Sequence, residues 1–234
     1  MHLRCTDSTN ERARALAISG APHGTLVSAA EQSAGRGRQG RGWVAPAGSA
    51  LLCSLVLRDP PPLLSLIAGV AVCDAVGERA RVKWPNDVVV EKGAPDSSSG
   101  AGGTSLAKLA GILVESRPQE RWAVLGIGVN VAVRIGQLPA ELHARAASLA
   151  LPESAIEPMR ERLLEALERR LGEPADRVLG AWRARDALRG REVSWAHGKG
   201  RVEGIDGSGR LLVTLADGAH TALDAGEVHL ASVD

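Results

Sequence analysis

Over the first 135 residues, short apolar runs alternate with Gly, Pro and polar breaks, and over the last 45 the runs become shorter still. TLVSAAE (25–31), LLCSLVLR (51–58), RVKW (81–84), DVVVE (87–91), LAGILVES (109–116) and RWAVLGIGVNV (121–131) have the length and apolar character of strands. Asp7-Ser8-Thr9 before NERARALAIS, with Gly20 behind it, predicts a capped helix of about eleven residues with Leu16 and Ile18 near its buried side. LLSLIAGVAVCDAV, after Pro60-Pro61-Pro62, is apolar nearly all round, as expected of a buried helix entered through proline. From Pro158, the spacing of Met159, Leu163, Leu164, Leu167 and Leu171 predicts an amphipathic helix, followed by another over 175–188. REVSWAHG, GRVEGID, GRLLVTL, HTALD and EVHLASV, separated by turn residues, predict a small barrel of about five strands. The class is α+β, with a boundary near residue 189 between a larger domain (1–188) and a small one (189–234). KGAPDSSSGAGGTSL (92–106) reads as a surface loop of weak order.

Composition narrows the function classes. Of 234 residues, 44% are apolar and 24% charged, the balance of a globular chain able to bury a core. Lys and Arg total 28 against 27 acidic residues, a formal net charge of +1, so any anion site must be local. There is no Phe or Tyr and only five Trp, which argues against an aromatic platform for single-stranded nucleic acid. The charged N-terminal stretch and the lack of a long apolar run predict no signal peptide, no membrane span and a cytoplasmic location. Cys5, Cys53 and Cys73 share no metal-ligand spacing, and the six His are scattered, so no disulfide framework or dedicated metal site is expected.

Gly35, Gly37 and Gly40 spell G-x-G-x-x-G, with Asp59 about 20 residues on, but only ten residues separate Gly40 from Leu51 and they include Gly42, Pro46 and Gly48. No Rossmann helix fits there, and no Gly-Lys-Ser/Thr makes a P-loop. GRGRQGRGW is therefore a loop presenting Arg36, Arg38, Arg41 and Trp43, suited either to phosphate oxygens and a stacked base or to a solvated or nucleic-acid-facing basic turn. KWPND (83–87), Lys108 at the mouth of KLAGIL, and Asn130 at the end of GIGVN are each ordinary in isolation.

Taken in order, Ser8-Thr9-Asn10, GRGRQGRGW, KWPND, KLAGIL and GIGVN closely resemble the biotin protein ligases, and GRVEGIDGSGRLLV resembles that family's C-terminal barrel. The stretch between KWPND and KLAGIL is longer than is usual in the family. Family members that also act as repressors carry a helix-turn-helix domain ahead of Ser-Thr-Asn, which seven residues cannot hold, so no DNA-binding repressor activity is expected.

The resemblance implies a class II synthetase-like mixed-sheet catalytic domain with an SH3-like C-terminal barrel. It also implies ATP and biotin as substrates, Mg²⁺ arriving with ATP, and a biotin carboxyl carrier protein as partner. It is compatible with a homodimer and implies no nucleic-acid partner. Arg38 and Lys108 would stabilise charge at the α-phosphate, and Asp87 would orient and deprotonate the carrier lysine. Ser8, Thr9, Asn10, Gln32, Gly35, Arg36, Lys108 and Gly111 would hold biotin. Arg36, Arg38, Arg41, Trp43, Asn86 and Asn130 would hold ATP. The nearest rival, a lipoate or octanoate transferase, uses a substrate without the ureido ring.

Overall fold

The computed structural model describes residues 1–92, 105–224 and 228–230. Of the loop expected over 92–106, residues 93–104 lie outside that range, as do parts of the last expected strand run. Seven strands, β1 (His2–Leu3), β2 (Thr25–Ala29), β3 (Ala50–Arg58), β4 (Arg81–Lys83), β5 (Asp87–Lys92), β6 (Ser105–Arg117) and β7 (Trp122–Asn130), form one sheet. Their order is β1-β2-β3-β7-β6-β5-β4, antiparallel throughout except for β1 against β2.

Strand periodicity gives this sheet two different faces. Leu51, Cys53, Leu55 and Leu57 of β3 join Ile127 and Val129 of β7 in the main core, covered by α2 (Leu64–Val76) and α3 (Ile156–Leu171). On the other face the apolar cover is split. Val27, Val56, Val124 and Trp122 pack under Ala13 and Ala17 of α1 (Thr9–Ile18) at one end, while Ala50 and Leu52 pack with Val133, Leu138 and Ala146 at the other. The gap between these two clusters is a cleft.

One irregularity governs what faces the cleft. Asp87 pairs with Gly111 and Val88 with Ala110, but Val89 pairs with Lys108, so Leu109 is an extra residue in β6. This β-bulge leaves Leu109 and Ala110 both in the core and turns Lys108 and Gly111 to the same face, although they are three residues apart.

The sequence expectations hold for most elements and fail at a few. In α1 the buried residues are Thr9, Asn10, Ala13 and Ala17, whereas Ile18 is 62% exposed and Leu16 half-buried. The short alanines let the helix approach the sheet, and its polar first turn faces the cleft. The helix expected over 175–188 ends at Arg183 as α4 (Ala175–Arg183), because Val82 donates to the Arg185 carbonyl and Ala187 donates to the Val82 carbonyl, drawing the chain alongside β4. Beyond it β8 (Glu192–Trp195), β9 (Gly198–Ile205), β10 (Leu211–Thr214), β11 (His220–Leu223) and β12 (His229–Leu230) make an antiparallel sheet in the order β11-β10-β9-β8-β12. Its 206–209 turn reaches the larger sheet: the Trp84 indole donates to the Gly209 carbonyl at 3.0 Å, and a Cβ at Gly209 would lie 2.8 Å from Leu63 and Leu66. No helix among the described residues is long and apolar enough to cross a membrane.

Candidate active site

The cleft encloses about 450 Å³. Its floor is the rung of the sheet on which Asp87, Gly111, Gly128 and Leu52 stand side by side across β5, β6, β7 and β3. Two of these four have no side chain, and the Trp43 ring lies where the missing ones would be. A Cβ at Gly128 would stand 2.7 Å from its Cε2, and one at Gly111 would stand 3.0 Å from its Cζ3. The indole N–H is buried without a hydrogen-bond partner.

Lys108 overhangs this floor. Its ammonium is 2.7 Å from the Asp87 carboxylate and 5.7 Å from the Trp43 ring centroid, a cation held by one carboxylate and the face of an aromatic ring. The carboxylate makes an ion pair with it rather than an aligned hydrogen bond. Asp87 is the one acid lining the cleft among the described residues, and Arg36, Arg38, Arg41, Lys83 and Lys108 also line it, so the local charge is strongly positive in a chain whose net charge is +1. Arg145, which the sequence reading passed over, lines it too, and its carbonyl accepts the Lys108 backbone N–H at 2.6 Å.

At the α1 end the lining is polar and neutral. Ser8 is the N-cap of α1, yet its hydroxyl makes no capping bond; it lines the cleft instead. The Thr9 backbone N–H and hydroxyl both donate to Gln32 Oε1, at 2.7 and 3.0 Å. With that oxygen engaged, the Gln32 amino group lies beside Gly35, where a Cβ would come within 3.0 Å of it and within 2.4 Å of the Trp43 carbonyl. Asn10 is pinned from two sides: Ser54 Oγ lies 2.6 Å from its Oδ1, and its Nδ2 donates to Glu115 Oε2 at 2.9 Å. Gly126 is the seat of this amide, since a Cβ there would be 2.0 Å from Asn10 Oδ1. Ser54, fully buried in the middle of an apolar strand, and Glu115 are site residues absent from the sequence reading.

The Gly/Arg loop is tethered at three places. Arg36 pairs with Glu11 and with Glu115, Arg38 donates to Asn86 Oδ1 at 3.2 Å across the cleft, and Trp43 rests on the glycine floor. Asn86 is itself fixed by donating to the Ile112 carbonyl at 2.8 Å. Asn130, at the end of β7, donates to the Ala147 carbonyl at 2.8 Å and leaves its buried Oδ1 without a hydrogen-bond partner at the edge of the cleft. Thus Ser8, Thr9, Asn10, Gln32, Arg36, Arg38, Arg41, Trp43, Asn86, Asp87, Lys108, Gly111 and Asn130 all border one cavity, and Gly35 supports it from behind. Arg36 spends its guanidinium on two carboxylates rather than presenting it openly.

Residues 2–131, which include every one of these side chains, match the model of the biotin/lipoate A/B protein ligase family, and residues 189–230 match the biotin protein ligase C-terminal domain. The chain belongs to this ligase family. Among relatives, a biotin–[acetyl-CoA-carboxylase] ligase of Paracoccus denitrificans is 35% identical over 237 residues, covering 89% of this chain and 91% of that protein. A bifunctional ligase/repressor BirA of Bacillus subtilis is 38% identical over 154 residues, which is 61% of this chain but only 43% of that protein. The biotin protein ligase of Aquifex aeolicus, solved in complex with biotin and ATP, superposes with a TM-score of 0.77 at 26% identity, covering 100% of this chain and 98% of that one. The ligase fold therefore extends over both sheets; the first matched segment supplies most of the cleft, and Leu138, Leu142, Arg145, Ala146, His229 and Leu230 complete its lining from outside that segment.

Proposed function

We propose that this chain joins biotin to ATP as biotinyl-adenylate, releasing pyrophosphate, and then passes the biotinyl group to the ε-amine of a lysine on a biotin carboxyl carrier protein in the cytoplasm. The observation that carries the reading is the placement of Lys108. Its ammonium stands over the glycine floor, between the polar pocket of Thr9 and Gln32 and the apolar cluster around Leu138 and Ala146. A ligand with a ureido head, an apolar chain, a carboxylate and an adenine would meet those environments in that order.

In the first step the carboxylate oxygen attacks the α-phosphorus and pyrophosphate leaves. Negative charge grows on the phosphorane oxygens, and Lys108 and Arg38 are cations already oriented, by Asp87 and Asn86 respectively, so little reorganisation is required as charge develops. Mg²⁺ brought by ATP would be held mainly by the phosphates, with Asp87 as the cleft carboxylate that would contact it, and would offset the phosphate charge. In the second step the carrier amine must be neutral to attack the anhydride carbonyl. Asp87 accepts its proton, and AMP departs with the bonding pair. Ser8, Thr9 and Gln32 supply hydroxyl and amide partners for the ureido ring.

The experiment is incubation of the full chain with ATP, biotin and a biotin carrier domain, followed by intact-mass measurement, with lipoate in a parallel arm. Expected are one biotinyl adduct on the carrier and AMP as the nucleotide product. Transfer of lipoate in preference to biotin, or ADP as product, would overturn the proposal.

A further inference from the structure

Glu115 stands where two halves of the site meet. It lies on β6, with its side chain 24% exposed, and each of its carboxylate oxygens is taken by a different element. Oε2 accepts from Asn10 Nδ2 of α1 at 2.9 Å, while Oε1 is 3.0 Å from the Arg36 guanidinium of the Gly/Arg loop. Asn10 continues the chain inward to Ser54, whose hydroxyl also lies 2.8 Å from Thr9 Oγ1, and Thr9 holds Gln32. Arg36 continues it outward, two residues before Arg38.

A carboxylate is planar, so the direction of one oxygen dictates the direction of the other. With Arg36 in place the carboxylate plane is fixed and Asn10 Nδ2 meets Oε2 squarely. If Arg36 leaves, the group can rotate, and Asn10 loses its partner on the side opposite Gly126. Glu115 is partly buried but Arg36 is exposed, so the pair acts by fixing the direction of the carboxylate more than by its Coulomb energy.

Building on the biotin ligase reading, we infer that Glu115 is a positioning residue that couples the Gly/Arg loop to the biotin-side pocket, so that seating Arg36 and orienting Asn10 are one event. Arg36 then acts on biotin binding without touching biotin.

The test is a mutant cycle on the full chain, read by biotin affinity in titration calorimetry without ATP. Arg36→Met should weaken biotin about threefold or more. Arg36→Lys, which keeps a cation for Glu115, should recover most of that loss. In a Glu115→Gln background, where the amide can still accept from Asn10 but carries no charge for the guanidinium, Arg36→Met should cost much less than in the parent chain, only the exposed pair with Glu11 remaining to be lost. A Glu115 that served only stability would lower the thermal midpoint and leave the effect of Arg36→Met equal in both backgrounds. Equal losses, or no loss from Arg36→Met in the parent chain, would overturn the inference and leave the ligase reading standing. Absence of biotin binding by the parent chain would overturn both.

Discussion

Gly128 and Trp43 fit one another as floor and cover: the indole lies so near the strand that a single methyl at residue 128 would be 2.7 Å from the ring. Gly128→Ala should therefore lift Trp43 from the sheet. Expected are a change in Trp fluorescence and a fall in adenylate formation, with the thermal midpoint reduced far less. Gly111→Ala should do less, because part of what it meets is the flexible end of Lys108. Removing the indole itself, by Trp43→Ala, should cost nucleotide affinity about 1 to 3 kcal/mol, on the scale of a base stacked on an aromatic ring. Calorimetry with biotin alone and with a stable adenylate analogue checks this; equal losses for the two ligands would make Trp43 a packing residue only.

Lys108→Ala removes the cation that is already aimed into the cleft. Single-turnover adenylate formation should fall about a hundredfold or more, the scale of losing a preorganised charge stabiliser. The variant also leaves Asp87 without its ion-pair partner, so the transfer step, assayed from purified adenylate, should slow as well. A parental rate of adenylate formation would remove Lys108 from the first step.

Asp186 provides a pH test of stability away from the cleft. Burial pushes its carboxyl up to about 6, against the lesser opposing pull of the Leu188 and Arg189 backbone amides, and its Oδ2 is buried without a partner. A folded-state value above the unfolded one means that folding takes up a proton between about pH 3.8 and 6. The stability it confers is complete below that window and lost as pH rises through it. Asp186→Asn should flatten this dependence and make the protein about 2 kcal/mol more stable at pH 7, within the limit set by the size of the shift. Urea melts at pH 4.5 and 7 are the measurement.

Asp74 has the opposite sign. Burial raises its carboxyl, but hydrogen bonds from Arg170 and Arg169 and the charges of Arg170 and Arg185 outweigh that and hold it below its ordinary value. Its contribution is present above the unfolded value and fades as pH falls through the folded one. Asp74→Asn would leave three arginines of α3 and the α4 exit around a neutral amide. We expect a loss of about 2 kcal/mol at pH 7, below the cost of breaking a fully buried pair because Arg169 is more than half exposed. The difference from the parent should shrink in melts below pH 4.

Much of the site was readable in the chain because its residues come in short motifs at loops and strand ends, where a polar or glycine residue stands out against apolar runs. The strands were equally readable, since each carries its own apolar signature. Harder to read were relations that exist only across strands. Ser54 is a polar residue on the cleft-facing phase of LLCSLVLR, a signal that was there to find. Gly126 and Gly128 share a strand face by their spacing of two, and that too was available. Glu115 was not, because only the pairing of β6 with β7 and the position of α1 bring it to Asn10. Ile18 misled because helical period alone does not say which side of a short, alanine-rich helix meets the sheet. The two-residue β1 carries no pattern at all and exists only through its pairing with β2.

The extra residue Leu109 sets the phase of everything after it. A strand without the bulge would alternate strictly, and with Gly111 facing the cleft, Lys108 would point into the oily layer beneath α2. The step from lysine to glycine is thus a gear with one idle tooth: deleting Leu109 would restore strict alternation and leave both residues facing the cleft, whereas straightening β6 at its present length would turn the principal cation inside out.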